Sequence, residues 1–517
     1  MVFKQNCELI PFKTLFIPYI EHLSNYVAAL ELTDDKKIVL INSFLEELSS
    51  ESIIVLQYEL EKFRKAGNDR FDLFINKMDD ALALDYPVLD QILKVKVSNY
   101  LIHLSKIINR FRRDLQKIIK TFELSIIEDS LKIIDIKVNL GDGHNGEGTS
   151  IIHLSNGTKL IYKPRNIAIT DSYNTFINWV NCKLSVNLKT FKILDRKEYG
   201  WLEFIEHDGV TSENELLEYY YKAGIFLMVT LILGSKDYHY ENIIASGKNP
   251  VIIDQETIIQ PFWNDKSVKM LNKHKKIPDF SVLESGLIFN PNNVDYGVSA
   301  FGIHEDLRIS ESEKIIKNAN TINSLRVKVS VIRSIIKENI PNKGGKYIFA
   351  NSHKKQLVDG FCTAYDMFLD SKSELRLNKF PIKTFKNKEI RVLCRPTYVY
   401  YRILKYLKNV PFMSNFEAYY SKLYSLLSQA YQSEDMNEYR YILDLEMKQM
   451  LNGDIPIINL KSTENFLASN TDIKIFQYNC LENIYQRIEV LSLQHKQEQL
   501  NYINTWLDFK LIANKTI

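Results

Sequence analysis

From Val97 onward the apolar residues Leu101, Leu104, Ile108, Phe111, Leu115 and Ile118 recur in alternating steps of three and four. That spacing lays one apolar stripe along a helix. Lys106, Arg110, Arg113 and Lys117 fall off the stripe and are expected in solvent. Similar runs at 44–48 and 53–63 predict further helices, with Ser50 or Ser52 as caps. Residues 1–130 therefore read as a helical N-terminal region. Such a layer could be a lid, a peptide-docking surface or a scaffold, and the pattern does not choose.

Near Leu131 the period changes. Ile134, Ile136 and Val138 alternate as in a strand, and the glycine-rich stretch GDGHNGEG (141–148) follows. SIIHL and TKLIYK flank Asn156-Gly157, the signal of a hairpin whose second strand ends at Lys163. Residues 215–233 are helical and increasingly apolar, and they run into GSKDYHYENIIASGKNPVIIDQETI. That segment reads as a loop, a strand at 242–245, a turn at 246–250 and a strand at 251–253 ending at Asp254. Residues 257–320 read as mixed loop and helix. A strand at 389–394 precedes Arg395-Pro396-Thr397, and helices return from Tyr398. The expected class is α+β, with a core at 131–405 and a helical C-terminal region at 406–517.

Bulk properties narrow the classes. A chain of 517 residues is too long for one ordinary core. A formal charge of +3, with 25% charged and 45% hydrophobic residues, is globular and argues against a nucleic-acid-coating or disordered protein. Cys7, Cys182, Cys362, Cys394 and Cys480 lie far apart without zinc-site spacing, so free thiols in a reducing cytoplasm are expected. The start lacks a signal-peptide pattern, and the apolar run at 224–234 is far shorter than the roughly 20 residues that span a bilayer. It reads as part of a buried helix, and no transmembrane segment is expected.

Three groups carry chemistry. Gly141, Gly143 and Gly146 match GxGxxG, a weak signal alone. Between two strands, with Lys163 following on the next strand, it matches the context in which kinases cover and bind phosphates, though a ligand-free hairpin would look the same. Asp237-x-His239-x-x-Asn242 followed by Asp254-x-Glu256 is sharper. Phosphoryl transfer needs a carboxylate to orient the attacking hydroxyl and oxygen ligands for magnesium, and this segment offers them in kinase order. His239 could stabilise negative charge. In EIRVLCRPT, Arg391 and Arg395 share a strand face, with Thr397 beyond the Pro396 bend, and guanidinium groups suit phosphate. An ordinary basic strand would read alike.

GDGHNGEGTS, KLIYKPRNIAI, YGWLEFIE, GSKDYHYENIIA, NPVIIDQET and EIRVLCRPT together resemble the N-terminal dehydratase half of the class II lanthipeptide synthetases, the LanM family. The resemblance covers most of the chain. It implies a lipid-kinase-like, two-lobed core that uses ATP and Mg2+ to phosphorylate Ser and Thr of a leader-bearing precursor peptide. Phosphate is then eliminated to leave dehydroalanine or dehydrobutyrine. By that resemblance Lys163 binds ATP phosphates, Asp237 orients or deprotonates the hydroxyl, and His239 supports transfer. Asn242, Asp254 and Glu256 serve the metal, while Asp142, His144, Arg391 and Thr397 serve elimination. The elimination base is not assigned.

Two departures stand out. Family members continue into a zinc-dependent cyclase half, whose ligands this chain lacks, so ring closure is not expected from it. A separate cyclase in trans, an uncyclised product or an excised domain would account for that. The segment DYGVSAFG (295–302) follows the family pattern loosely and is expected to leave the core chemistry untouched. A kinase that stops at the phosphopeptide and a non-catalytic precursor-binding protein are the competing readings.

Overall fold

Asp34–Lys65 forms one continuous helix of 32 residues. The expected break at Ser50 or Ser52 is absent, because Ser52 is buried and its hydroxyl donates to the Leu48 carbonyl at 2.9 Å. The hydroxyl is spent inside the helix, where it cannot cap an end. The computed structural model describes residues 10–125, 131–144, 146–264, 277–291, 299–302, 308–334, 338–431, 439–467 and 474–509. Over these residues the class is α+β, as expected.

The long helix Pro87–Phe122 begins with proline, whose missing N–H costs nothing in the first turn. Leu104, Ile108, Phe111 and Ile118 are buried, as their spacing requires. Arg113 and Lys117 are exposed, as expected, yet three of the four cations also touch the sheet side of the helix. Lys106 pairs with Glu147, Arg110 reaches the Tyr162 hydroxyl and lies 4.1 Å from the Tyr199 ring centre, and Arg113 contacts the Tyr199 hydroxyl. Long stems on the flank of the helix lay these charges onto the neighbouring sheet.

That sheet is antiparallel, with β1 (Ile133–His144), β2 (Glu147–Leu154), β3 (Lys159–Lys163), β4 (Ile193–Asp195) and β5 (Gly200–Glu203) in the order β1-β2-β3-β5-β4. The Asn156-Gly157 turn joins β2 to β3, with Gly157 at φ 86. In β1, Ile133 pairs with Leu154 and Asp135 with His153, so one extra residue bulges between them. Ile133 and Ile136 consequently face inward, and Ile134, a core residue by alternation, is 46% exposed. Asp114 of the long helix also fastens the sheet. Its buried carboxylate accepts from the Tyr199 hydroxyl at 2.7 Å and from Trp201 Nε1 at 3.1 Å.

The helix Glu213–Leu233 starts at a Ser212 cap and ends at Gly234, at φ 67. It is longer than its apolar run suggested, and by length and composition alone it could cross a membrane. Here 83% of its most apolar stretch is buried within the protein, so it is a core helix. Gly224 and Gly360 let it approach helix Lys354–Asp370, since a Cβ at either would lie 1.9 Å from a carbonyl oxygen of the other helix. Arg487, on helix Cys480–Glu489, closes its C-terminal end by donating to the Leu231 carbonyl at 3.0 Å. The same guanidinium pairs with buried Glu284 at 2.9 Å.

After Gly234 come the site loop and a small hairpin, β6 (Ile243–Ser246) and β7 (Asn249–Ile252). Its turn is tighter than expected, with Pro250 paired to Ala245 inside the ladder. The region read as loop and helix also contains the ten-residue strand Arg308–Lys317, which pairs antiparallel with Leu325–Ser334 beyond it. The helical C-terminal region contributes the strand Ile458–Lys461, which pairs with Glu389–Val392. Cys182, Cys362, Cys394 and Cys480 are free thiols, and Cys7 lies outside the described residues.

Candidate active site

Lys163 is the last residue of β3, and β2 and β5 on either side fix its direction. Its ammonium lies 2.9 Å from Asp254 Oδ1 and 3.7 Å from Glu256 Oε1. Arg165, just past the strand, pairs with Glu256 Oε2 at 2.9 Å. Burial alone would raise the Asp254 carboxyl, but the Lys163 and Arg165 cations outweigh it and hold it down to about 2.

Asp254 and Glu256 belong to a segment that runs between two others. On one side Lys236 N–H donates to the Thr257 carbonyl at 3.2 Å, and the Thr257 hydroxyl donates to the Lys236 carbonyl at 2.7 Å. On the other side Arg391 N–H donates to the Glu256 carbonyl at 3.0 Å, and Gln260 Nε2 donates to the Arg391 carbonyl at 2.7 Å. The loop bearing Asp237 and the strand bearing Arg391 thus flank one carboxylate segment.

Asp237 stands at φ 69, a left-handed conformation that costs energy in a non-glycine residue and that Asp tolerates better than most. Asn242 holds the turn by donating its amide to the Asp237 carbonyl at 2.7 Å, while its own carbonyl accepts from Ile253 N–H at 3.1 Å. Asn242 therefore links Asp237 to the residue before Asp254. His239 Nδ1 accepts from the Glu241 N–H at 3.3 Å, which leaves Nε2 as the ring's proton-bearing nitrogen. His239 also forms a β-bridge with Ser299. The 295–302 segment, whose residues 295–298 lie outside the described set, therefore meets the site loop through the backbone at Ser299.

The glycine stretch is strand and turn, not free loop. Gly141, Asp142, Gly143 and His144 lie within β1, and Gly146 makes the turn at φ 71; the Asp142 side chain lies outside the described atoms. The turn is held from two sides. Gly146 N–H donates to Asp454 Oδ1 at 3.0 Å, and a Cβ there would lie 2.3 Å from the Asn99 side chain. His144 Nδ1 lies 2.7 Å from the Ile455 carbonyl and therefore carries the proton, so Nε2 is the lone-pair nitrogen. Burial, with help from the Arg391 and Arg165 cations, presses the His144 pKa down to about 3. His103 beneath β2 is lowered to about 4, chiefly by burial.

The strand before Thr397 ends at Val392, so Arg395 does not continue the face of Arg391. Arg395 is instead bound by Glu446 through two hydrogen bonds of 2.6 and 2.8 Å, and Tyr400 and Tyr431 donate to the same carboxylate. These bonds commit its Nε and Nη2 to Glu446 and the Leu427 carbonyl. Thr397 opens helix Thr397–Leu407 and shares a small recess with Arg391, Cys394 and Pro456.

Asn242, Asp254 and Glu256 present oxygen donors, the set a hard divalent cation takes. Glu256 Oε1 is buried and makes no hydrogen bond among the described residues, as an oxygen awaiting a cation would. Among the described residues no group of three His, Cys, Asp or Glu side chains gathers as a closed metal cage. Magnesium rarely uses such a cage, because it completes its shell with water and phosphate oxygens. Arg165 and Asp454, not anticipated as site residues, carried a faint sequence signal only in the first case, through KPR beside Lys163.

On this α+β fold a basic strand end faces paired carboxylates beside a fixed Asp–Asn turn. The chain belongs to the family described as a domain of unknown function, DUF4135, matched over residues 86–461. It is 26% identical over 442 residues to the lacticin 481/lactococcin biosynthesis protein LcnDR2 of Lactococcus lactis subsp. lactis. That alignment takes in 81% of this chain and 46% of the relative, so the chain spans less than half the length of the protein it matches. Both matches agree with the class II lanthipeptide synthetase resemblance carried by the motifs.

Proposed function

We propose that this chain acts in lanthipeptide biosynthesis as a kinase-like dehydratase, working on Ser and Thr of a leader-bearing precursor peptide with ATP and Mg2+. The observation that carries the reading is the single segment 254–256. Its carboxylates meet Lys163 on one face, and its backbone is bonded to Arg391 on the other. A phosphoryl group made beside Lys163 would then have little distance to cover to the strand that carries Arg391.

In the first step the Ser or Thr hydroxyl, oriented by Asp237, attacks the γ-phosphorus; its proton passes to the carboxylate and ADP departs. Lys163 holds the nucleotide phosphates, and His239 Nε2–H donates toward the transferring oxygens. Asn242, Asp254 and Glu256 would hold magnesium, which neutralises phosphate charge when bound. In the second step the Cα proton passes to a base and on to solvent. The Cβ–O bond breaks with its electron pair leaving on phosphate, and a Cα=Cβ double bond forms. Hydroxide is a poor leaving group and phosphate a better one, which is why the chemistry needs ATP. Arg391 neutralises the departing charge, with His144 and Thr397 beside it. The cytoplasm, where ATP is plentiful, is the proposed location.

The test is the intact mass of a Ser/Thr-rich precursor encoded beside the gene, after incubation with the protein, ATP and Mg2+. Loss of one or more waters supports the dehydratase. Stable phosphate gain would make the protein a peptide kinase, and an unchanged mass with no ATP consumption would make it a binding protein.

A further inference from the structure

Arg165 offers more than its partner uses. Its Nη1 donates to Glu256 Oε2 at 2.9 Å, while its Nε is buried and has no hydrogen-bond partner among the described residues. An uncompensated buried guanidinium N–H is costly and marks a place where a ligand atom belongs. His144 Nε2 is a second buried polar atom with no partner among the described residues. Both lie beside the Glu256 segment that Arg391 joins through its backbone N–H. The Arg165 side chain is 21% exposed, so a small shift of the guanidinium would bring the buried donor to an incoming group.

We propose that Arg165 is a phosphoryl-binding residue that takes hold of the phosphate once it is on the peptide and shares it with Arg391 during elimination. This rests on the dehydratase reading above and assigns the cation that spans its two steps. Lys163 faces Asp254 on the nucleotide side, and Arg391 lies on the far side of Glu256. Arg165 pairs with Glu256 beside both, and its planar fork can bind two phosphate oxygens, which an ammonium cannot. Phosphate would draw the guanidinium partly from Glu256 and free that carboxylate.

The experiment compares the unmodified protein with Arg165→Lys and Arg165→Ala on two substrates, the precursor with ATP and Mg2+, and a synthetic phosphoserine form of the same peptide. With the phosphoserine peptide, ADP and Mg2+, the variants should eliminate about 100-fold more slowly, the scale of losing one preorganised charge-stabilising donor. With ATP they should still phosphorylate and accumulate phosphopeptide, and millimolar guanidinium should partly rescue Arg165→Ala. Normal elimination by both variants overturns the proposal. So does an equal loss of phosphorylation and elimination, which would make Arg165 a mere support for Glu256. If the unmodified protein neither phosphorylates nor eliminates, the dehydratase reading itself falls and takes this proposal with it.

Discussion

The Lys163 ammonium sits 2.9 Å from the Asp254 carboxylate, joining the end of β3 to the residue just beyond β7. The ammonium and the carboxylate neutralise one another, and in the proposed function they are the nucleotide-phosphate cation and a metal ligand. Nucleotide and magnesium would part them by giving each a stronger counter-charge. Arg165 and Glu256 repeat the arrangement one step along.

Lys163→Ala should abolish ATP consumption in the presence of precursor, with a fall of at least about 100-fold, because a positioned phosphate cation is lost. ADP release measured by a coupled assay checks this. Lys163→Arg should not restore the rate, since a larger fork cannot occupy the 9%-exposed space of the lysine side chain.

Arg391→Ala should separate the two steps. Its backbone contact to Glu256 survives the substitution, so phosphorylation continues while elimination stalls. Mass spectrometry should find phosphate adducts in place of dehydrated peptide. Dehydration at the ordinary rate would remove Arg391 from the elimination machinery.

Acid should weaken the fold below about pH 6.5. His103 and His144 are depressed to about 4 and about 3, so between these values and 6.5 the unfolded chain binds protons that the folded chain refuses. Stability therefore rises with pH across that window and is lost as pH falls. Melting temperatures from pH 7 down to pH 5 should drop less steeply for His144→Gln than for the unmodified protein. Asp254 acts lower, since its depressed carboxyl stabilises the fold above about 3.8 and loses that effect as pH falls toward about 2.

Glu446→Gln should destabilise the protein by about 3–5 kcal/mol, because it strands the Arg395 guanidinium without its fully buried counter-charge. Denaturant unfolding measures this. Glu446 and Arg395 set the start of the Thr397 helix, so dehydration should also suffer after the fold has been shown intact.

Much of the site was readable because its parts are local. The Asn156-Gly157 turn declares the hairpin that ends at Lys163, and 237–254 is one continuous segment whose loop and strands follow from its own residues. What escaped reading depends on distant partners. Gly146 is bound by Asp454, 308 residues downstream, and nothing local to either residue announces it. Arg395 looked like a phosphate ligand because strand alternation knows nothing of Glu446, 51 residues away. Ile134 was misread because a bulge changes the phase of a strand without changing its composition. Arg110 was assigned to water because Tyr162 of β3, whose hydroxyl it meets, comes against the helix only in three dimensions.

The most direct measurement is a quenched time course of precursor mass after mixing with the protein, ATP and Mg2+. A phosphate adduct that rises first and then falls as a dehydrated peptide appears is the expected result, with one ATP consumed for each water lost. Dehydration without ATP, or without any phosphopeptide even in Arg391→Ala, would contradict a site that phosphorylates and then eliminates.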